Sequence, residues 1–188
     1  MAWFLLLEIF DPPVVDLITQ LRKALYGRAF KPNVHITVRG PVIDVPESSD
    51  FRESVAGETI FLSGVGVFHN VEGSYVYLKA MGPIIDTLLA KKDYPKAEFG
   101  INAHVTLYET KHREAADRVF RLLKHERVEF FCRELRLRWQ QIGQKGLFSD
   151  EAYQQLSVGR PDYRFDIGTP RFDPTLLSRA ALLAAALK

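Results

Sequence analysis

The sequence predicts an α+β domain of pseudo-twofold plan, and three observations predict it. Apolar stretches alternate between strand-like and helix-like spacing along the 188 residues. The order strand, helix, strand occurs twice. The second copy also repeats the residues of the first: Pro13-Val14-Val15-Asp16 matches Pro83-Ile84-Ile85-Asp86 at an offset of 70, and His35-Ile36-Thr37-Val38 matches His104-Val105-Thr106-Leu107 at 69. Self-similarity at a fixed offset is an architectural signal, although two copies are too few for a solenoid. The two His-bearing strands are therefore expected to face one another across a cleft. One domain is the default at this length. The expected boundaries are 1–168 for a single domain of two repeated lobes and 169–188 for a C-terminal helical extension.

Taken in order, Trp3 to Phe10 is apolar enough for a strand covered on both faces. Asp11-Pro12-Pro13 breaks it and starts a helix, with proline suited to the first turn. Val14, Leu17, Ile18, Leu21 and Leu25 follow at helical spacing, and Gly27 ends the run. Val34 to Arg39 reads as a strand stopped by Gly40-Pro41, and Ile43 to Glu58 as a loop with a short helix. Thr59 to Phe68 and Ser74 to Ala80 form two strands joined by a hairpin-sized connection. Gly82-Pro83 opens a helix to about Lys92, Tyr94 to Asn102 is a loop, and Ala103 to Tyr108 is the second His-bearing strand. A helix over Arg113 to His125 buries Ala116, Val119, Phe120 and Leu123. From Val128 to Ile142 the pattern is extended but changes phase, which a bulge near Phe131 or Cys132 would reconcile. Gln154 to Ser157 and Tyr163 to Ile167 are candidate edge strands, and Asp173-Pro174 caps a last helix. With Leu176, Ala180, Leu183 and Leu187 on one face, that helix is expected to dock on its own domain. A monomer is the expectation, with a dimer contact through this helix as the alternative.

Composition narrows the class. The chain is 47% hydrophobic and 26% charged, which fits a folded core rather than disorder. Cys132 is the only cysteine, so no internal disulfide or thiolate cluster forms, and a reducing, cytoplasmic location is expected. The Trp3 to Phe10 run contains Glu8 and reads as a strand rather than a signal peptide. Leu176 to Leu187 is too short to span a bilayer. Net charge is +2, yet Lys111 to Arg138 holds nine basic against five acidic residues. That local excess suits either steering of a phosphate-bearing ligand or a plain solvated face. No basic block points to duplex DNA.

The two His-x-Thr strands carry the candidate chemistry. Side chains alternate along a strand, so His35, Thr37 and Arg39 share one face, and His104, Thr106 and Tyr108 share the equivalent face. Such a polar face lines a wet or ligand-filled cleft, or else lies on a solvated sheet surface. Two imidazoles titrating near pH ~6.5 can serve as one base and one acid. Two threonine hydroxyls add donors for an oxyanion whose charge is spread over several oxygens. A phosphodiester undergoing in-line attack has those needs. With no HExxH helix, no His/Asp cluster at ligand spacing and no Walker loop in sight, the expectation is no metal and no cofactor.

Paired His-hydrophobic-Thr-hydrophobic motifs in a duplicated domain resemble the 2H phosphoesterase superfamily, in particular its 2′-5′ RNA ligase-like (LigT-like) branch. The resemblance runs from about Trp3 to Ile142, reaching towards Gly168. It implies a bilobal fold of two antiparallel sheets flanked by helices. It also implies a hydrolase, a metal-independent 2′,3′-cyclic phosphodiesterase acting on RNA ends or small cyclic nucleotides, with reversible 2′-5′ RNA ligation in some members. His35 and His104 take the acid/base roles, and Thr37 and Thr106 donate to phosphate oxygens. The chain departs from the family pattern in two places. Arg39-Gly40-Pro41 follows the first motif instead of a Phe-Leu-Gly-like run, and Tyr108-Glu109 follows the second instead of a basic residue. A non-catalytic RNA or nucleotide phosphate binder that keeps the cleft is the alternative.

Arg39 is a candidate to pair with phosphate and Tyr108 to stack on a base, or both serve structurally at strand ends. Phe68, Tyr75 and Tyr77 shape a base pocket or belong to the core. His69, His112 and His125 lack the threonine partner and read as surface residues.

Overall fold

A computed structural model describes residues 2–29, 33–42, 55–89, 103–126, 128–142 and 175–187. The expected segments 43–54, 90–102 and 143–174, including both candidate edge strands and the Asp173-Pro174 cap, lie outside the described residues. The fold is α+β with two antiparallel sheets and, among the described residues, four helices.

β1 (Ala2–Ile9) leads through Asp11 into α1 (Pro12–Tyr26). All five apolar stripe residues of α1 are buried, and Gly27 ends it in the left-handed conformation at φ 67°. Asp11 starts the helix, but its carboxylate is used elsewhere. It accepts the backbone N–H groups of Arg133 (2.9 and 3.1 Å) and Glu134 (3.0 Å). β2 (Val34–Val42) runs on through Gly40-Pro41 instead of stopping there. It is the edge of its sheet, where a proline is best tolerated. β3 (Ile60–His69) and β4 (Ser74–Met81) form the expected hairpin. Asn70 Oδ1 closes its turn by accepting the Glu72 and Gly73 N–H groups, each at 2.9 Å. α2 (Pro83–Leu89), β5 (His104–Thr110) and α3 (Arg113–Leu123) follow.

The phase change after Val128 is not a bulge. It separates two strands that belong to different sheets: β6 (Glu129–Cys132) pairs with β3, whereas β7 (Leu135–Ile142) pairs with β1. Arg133-Glu134 is the crossing, pinned by Asp11. One sheet has the order β2-β1-β7 and the other β5-β4-β3-β6. α4 (Leu176–Ala185) lies on α1 and α3, with Leu176, Ala180 and Ala184 buried and Arg179 paired with Glu126. Among the described residues no helix is long and apolar enough to cross a membrane.

A single apolar cluster joins the helices to one face of each sheet. Leu5, Leu7, Ile9, Val34, Ile36 and Val38 come from the first sheet, and Leu62, Val76, Leu78, Val105 and Leu107 from the second. The other face of each sheet bears the polar residues. β2 and β5 are edge strands of separate sheets, and they lie against one another. Arg22 fastens them. Its side chain is 1% exposed; Nη1 donates to the Asn33 carbonyl at 2.6 Å, while Nη2 and Nε donate to the Thr106 carbonyl at 2.6 and 3.2 Å. Hydrogen bonds from a charged donor contribute about 1.5–3 kcal/mol each, and a fork of fixed geometry can serve two strands at once.

Arg22→Ala is expected to destabilise the fold by about 3–5 kcal/mol, because buried carbonyls on both strands lose their donor. Arg22→Lys should recover little of it, since an ammonium cannot reproduce the fork. Denaturant unfolding of the three proteins checks this; a loss under about 1 kcal/mol in the alanine variant would contradict it.

Candidate active site

In the first sheet, cross-strand register sets the faces. His35 lies opposite Glu8 and Thr37 opposite Leu6, whereas Ile36 and Val34 lie opposite the core residues Leu7 and Ile9. In the second sheet His104 lies opposite Lys79 and Thr106 opposite Tyr77. Cross-strand partners share a face, so each motif presents its His and Thr away from the apolar cluster.

The alternation then fails, in the same place in both copies. β1 pairs Leu6 with Thr37 but Leu5 with Arg39, leaving Val38 as an extra residue. β4 pairs Tyr77 with Thr106 but Val76 with Tyr108, leaving Leu107 extra. Each bulge falls on the fourth residue of its motif. A bulge puts two residues of one strand against one of the other, so the side chains beyond it change face. Arg39 and Tyr108 therefore do not share the face of His35 and His104. Arg39 is 5% exposed, and its Nη2 donates to the Leu88 carbonyl of α2 at 3.2 Å. Tyr108 is part of the apolar cluster and packs on Tyr26, ring centroids 4.9 Å apart. The same bulge brings Glu109, opposite Tyr75, to the face of Thr106.

His35 is 8% exposed. Its Nδ1 lies 3.1 Å from the Asn33 Oδ1. A carbonyl oxygen can only accept, so Nδ1 carries the proton and Nε2 keeps its lone pair. Burial first, then the Arg22 guanidinium, then His104, push the His35 pKa down to about 3. His104 thus lies close enough to His35 for the two charges to oppose one another. Asn33 holds both parts together: its side chain orients His35, and its carbonyl takes Arg22.

His104 sits among aromatic rings. Its ring centroid lies 4.9 Å from that of Tyr77 and 5.5 Å from that of Phe68, the latter edge-on at 74°. The Tyr77 ring lies over Gly66, its cross-strand partner, where any Cβ would collide with it. Phe68 and Tyr75 stack at 4.8 Å. These rings lie on the motif face and not in the helix-covered core.

β7 adds charge to the first sheet's polar face. Arg138 lies opposite Leu6, and Arg136 opposite Glu8. Arg138 Nη1 is 3.8 Å from Glu8 Oε1. Glu8 is 3% exposed, and among the described residues its Oε2 has no hydrogen-bond partner. Burial raises its carboxyl above the usual range, against the pull of Arg138 and Arg136.

Of the other histidines, His112 and His125 are exposed. His69 is half-buried at the end of β3. It lies 2.8 Å from Ser74 Oγ and 3.2 Å from Asp117 Oδ1, so it is a structural link. Sequence reasoning missed Arg22, Asn33, Glu8, Arg138 and Glu109. For Arg22 the signal was a lone charge inside an apolar helical stripe, four residues after Ile18.

His35 gives this site a stability signature. Its lowered folded pKa means that between about pH 3 and 6.5 the unfolded chain binds a proton that the folded chain refuses. Its contribution is therefore complete above pH 6.5 and shrinks as the pH falls through that window. His35→Gln should flatten the acid side of the stability curve relative to the native chain; denaturant titrations at pH 4, 5, 6 and 7 check it, and parallel curves would refute it. The chain matches no family model and no curated protein, so its chemistry is read from these residues alone.

Proposed function

We propose that the chain is a cyclic phosphodiesterase of the 2H type, hydrolysing 2′,3′-cyclic phosphates of RNA ends or nucleotides without a metal. The repeated strand–helix–strand units, each with a bulge at the fourth motif residue, support the pseudo-twofold plan on which the reading rests. The single observation that carries it is the meeting of the two motifs. Their strands abut, Arg22 clamps them, and the His104 charge reaches His35.

The buried, neutral state of His35 supports a division of labour. His35, neutral with Nε2 unprotonated, takes a proton from water as the water oxygen attacks phosphorus. The bond from phosphorus to one ribose oxygen breaks, and that oxygen takes a proton from the His104 imidazolium. The product is a ribose hydroxyl beside a phosphomonoester, and the proton on His35 returns to solvent. The low pKa of His35 belongs to the ligand-free site, where burial, then Arg22 and then His104, disfavour its charged form. Negative charge developing on the phosphoryl oxygens reverses that field and strengthens the base as the reaction proceeds. Thr37 and Thr106, half-buried beside the imidazoles, donate to those oxygens. Arg138, on the face of His35, adds positive charge. Replacing the attacking water by a ribose 5′-hydroxyl, which His35 deprotonates while His104 again protonates the departing 3′-oxygen, gives 2′-5′ ligation at the same pair.

Turnover of a 2′,3′-cyclic nucleotide should survive EDTA, and His35→Ala and His104→Ala should each lower kcat/KM by about 10²–10⁴-fold. The acid limb of the kcat/KM profile should fall well below pH 6.5, since it reports the free-enzyme pKa of His35. Unchanged rates in both variants would sink the enzymatic reading. Salt-sensitive RNA binding without turnover of any cyclic substrate would select the phosphate-binding alternative.

A further inference from the structure

The second sheet presents groups beyond His104 and Thr106 that the phosphate chemistry does not use. Phe68, Tyr75 and Tyr77 form a continuous aromatic shelf: Phe68 stacks on Tyr75 at 4.8 Å, lies 5.6 Å from Tyr77, and meets His104. At the far end of the shelf is Glu109, brought onto this face by the bulge at Leu107 and hydrogen-bonded by the Tyr75 hydroxyl. Spacing follows from the register. Thr106 is opposite Tyr77 and Glu109 is opposite Tyr75, two positions further along β4, which is roughly 7 Å of strand. A ligand whose phosphate sits at the imidazoles therefore runs along aromatic side chains and then meets a carboxylate.

The residue types select what fits. Aromatic shelves take the faces of unstacked bases, which proteins then read along their hydrogen-bonding edges. An ionised carboxylate only accepts, and with Tyr75 using one of its acceptor positions others remain. Tyr75 stays a donor at neutral pH, because burial and the nearby Glu109 and Glu72 carboxylates push its pKa up to about 12. A further phosphate here would meet both Glu109 and Glu72. Among the four bases, guanine alone carries two adjacent N–H donor groups, N1–H and the 2-amino group, on one edge. Adenine and cytosine place a ring acceptor beside their amino group, and uracil flanks its N–H with two carbonyls that a carboxylate repels.

We propose that Phe68, Tyr75 and Glu109 form a base subsite that selects guanine, so that the preferred substrates end in a guanosine 2′,3′-cyclic phosphate. The position of the phosphate in this proposal rests on the phosphodiesterase reading. The test compares kcat/KM for the four 2′,3′-cyclic mononucleotides in the native protein and in Glu109→Gln, alongside calorimetric binding of guanosine and uridine 3′-monophosphates. The native protein should favour guanine over uracil by about 10-fold or more, the worth of one good bidentate base contact. Glu109→Gln, nearly isosteric and half-buried, should narrow that ratio to about 3-fold or less. Equal rates for the four bases, or a ratio untouched by the substitution, would overturn the subsite. If no cyclic nucleotide turns over, the phosphodiesterase reading falls and calorimetry decides the subsite separately. Guanosine monophosphate binding at least 10-fold tighter, with the margin lost in Glu109→Gln, sustains it; equal or undetectable binding of both nucleotides overturns it.

Discussion

The fold depends on one buried cation. Two sheets of three and four strands meet along edges that do not pair with each other, so something else must fix their relative position. Arg22 does so by donating to a carbonyl at the start of β2 and a carbonyl in the middle of β5. Burying a guanidinium is costly, and only full satisfaction of its donors makes it tolerable. That cost is also a constraint on geometry. If the strands slid apart, the charge would be left in an apolar surround, so the energy rises steeply with displacement. The same cation depresses the pKa of His35. The cation that places the two strands thus adds to burial, the larger cause, in keeping the buried imidazole neutral.

Around that clamp the two halves obey similar local rules with different contents. Each has a strand, a helix and an antiparallel neighbour carrying His and Thr on its open face, and each breaks alternation one residue after the Thr. After the break the halves diverge. The first places Arg39 against the Leu88 carbonyl at the end of α2, while the second places Tyr108 against Tyr26 and turns Glu109 outward. The surroundings of the two imidazoles differ accordingly. His35 is enclosed, oriented by Asn33 and faced by basic residues of β7, whereas His104 is bordered by aromatic rings. Unequal environments are the means by which two chemically identical groups come to serve as one base and one acid, the roles proposed for this pair.

Much of the architecture was legible in the sequence because it is written in short-range periodicity. The α1 stripe, the Gly27 stop, the β3–β4 hairpin and the apolar face of α3 all follow from spacing over a few residues. What escaped depends on contacts between distant segments. A bulge at Val38 or Leu107 leaves no local mark, since an apolar residue there suits an unbroken strand equally well, and so Arg39 and Tyr108 were assigned to the wrong face. The phase change at Cys132 was visible, but a bulge and a transfer between sheets produce the same pattern. Only the Asp11 carboxylate, more than a hundred positions earlier, shows that the chain crosses there. The role of Arg22 was not legible because its acceptors are backbone carbonyls, which carry no residue identity.

The meeting of β2 and β5 also bears on self-association. An exposed strand edge invites another chain to add to the sheet, and long apolar edges are the most dangerous. Here two edges, which carry Ile36, Val38, Val105 and Leu107, are turned toward each other and shield one another. Among the described residues the outward edges are β6, only four residues long, and β7, studded with Arg136 and Arg138. Short length and charge both disfavour strand addition, so the join of β2 and β5 leaves outward, among the described residues, only a short edge and a charged one.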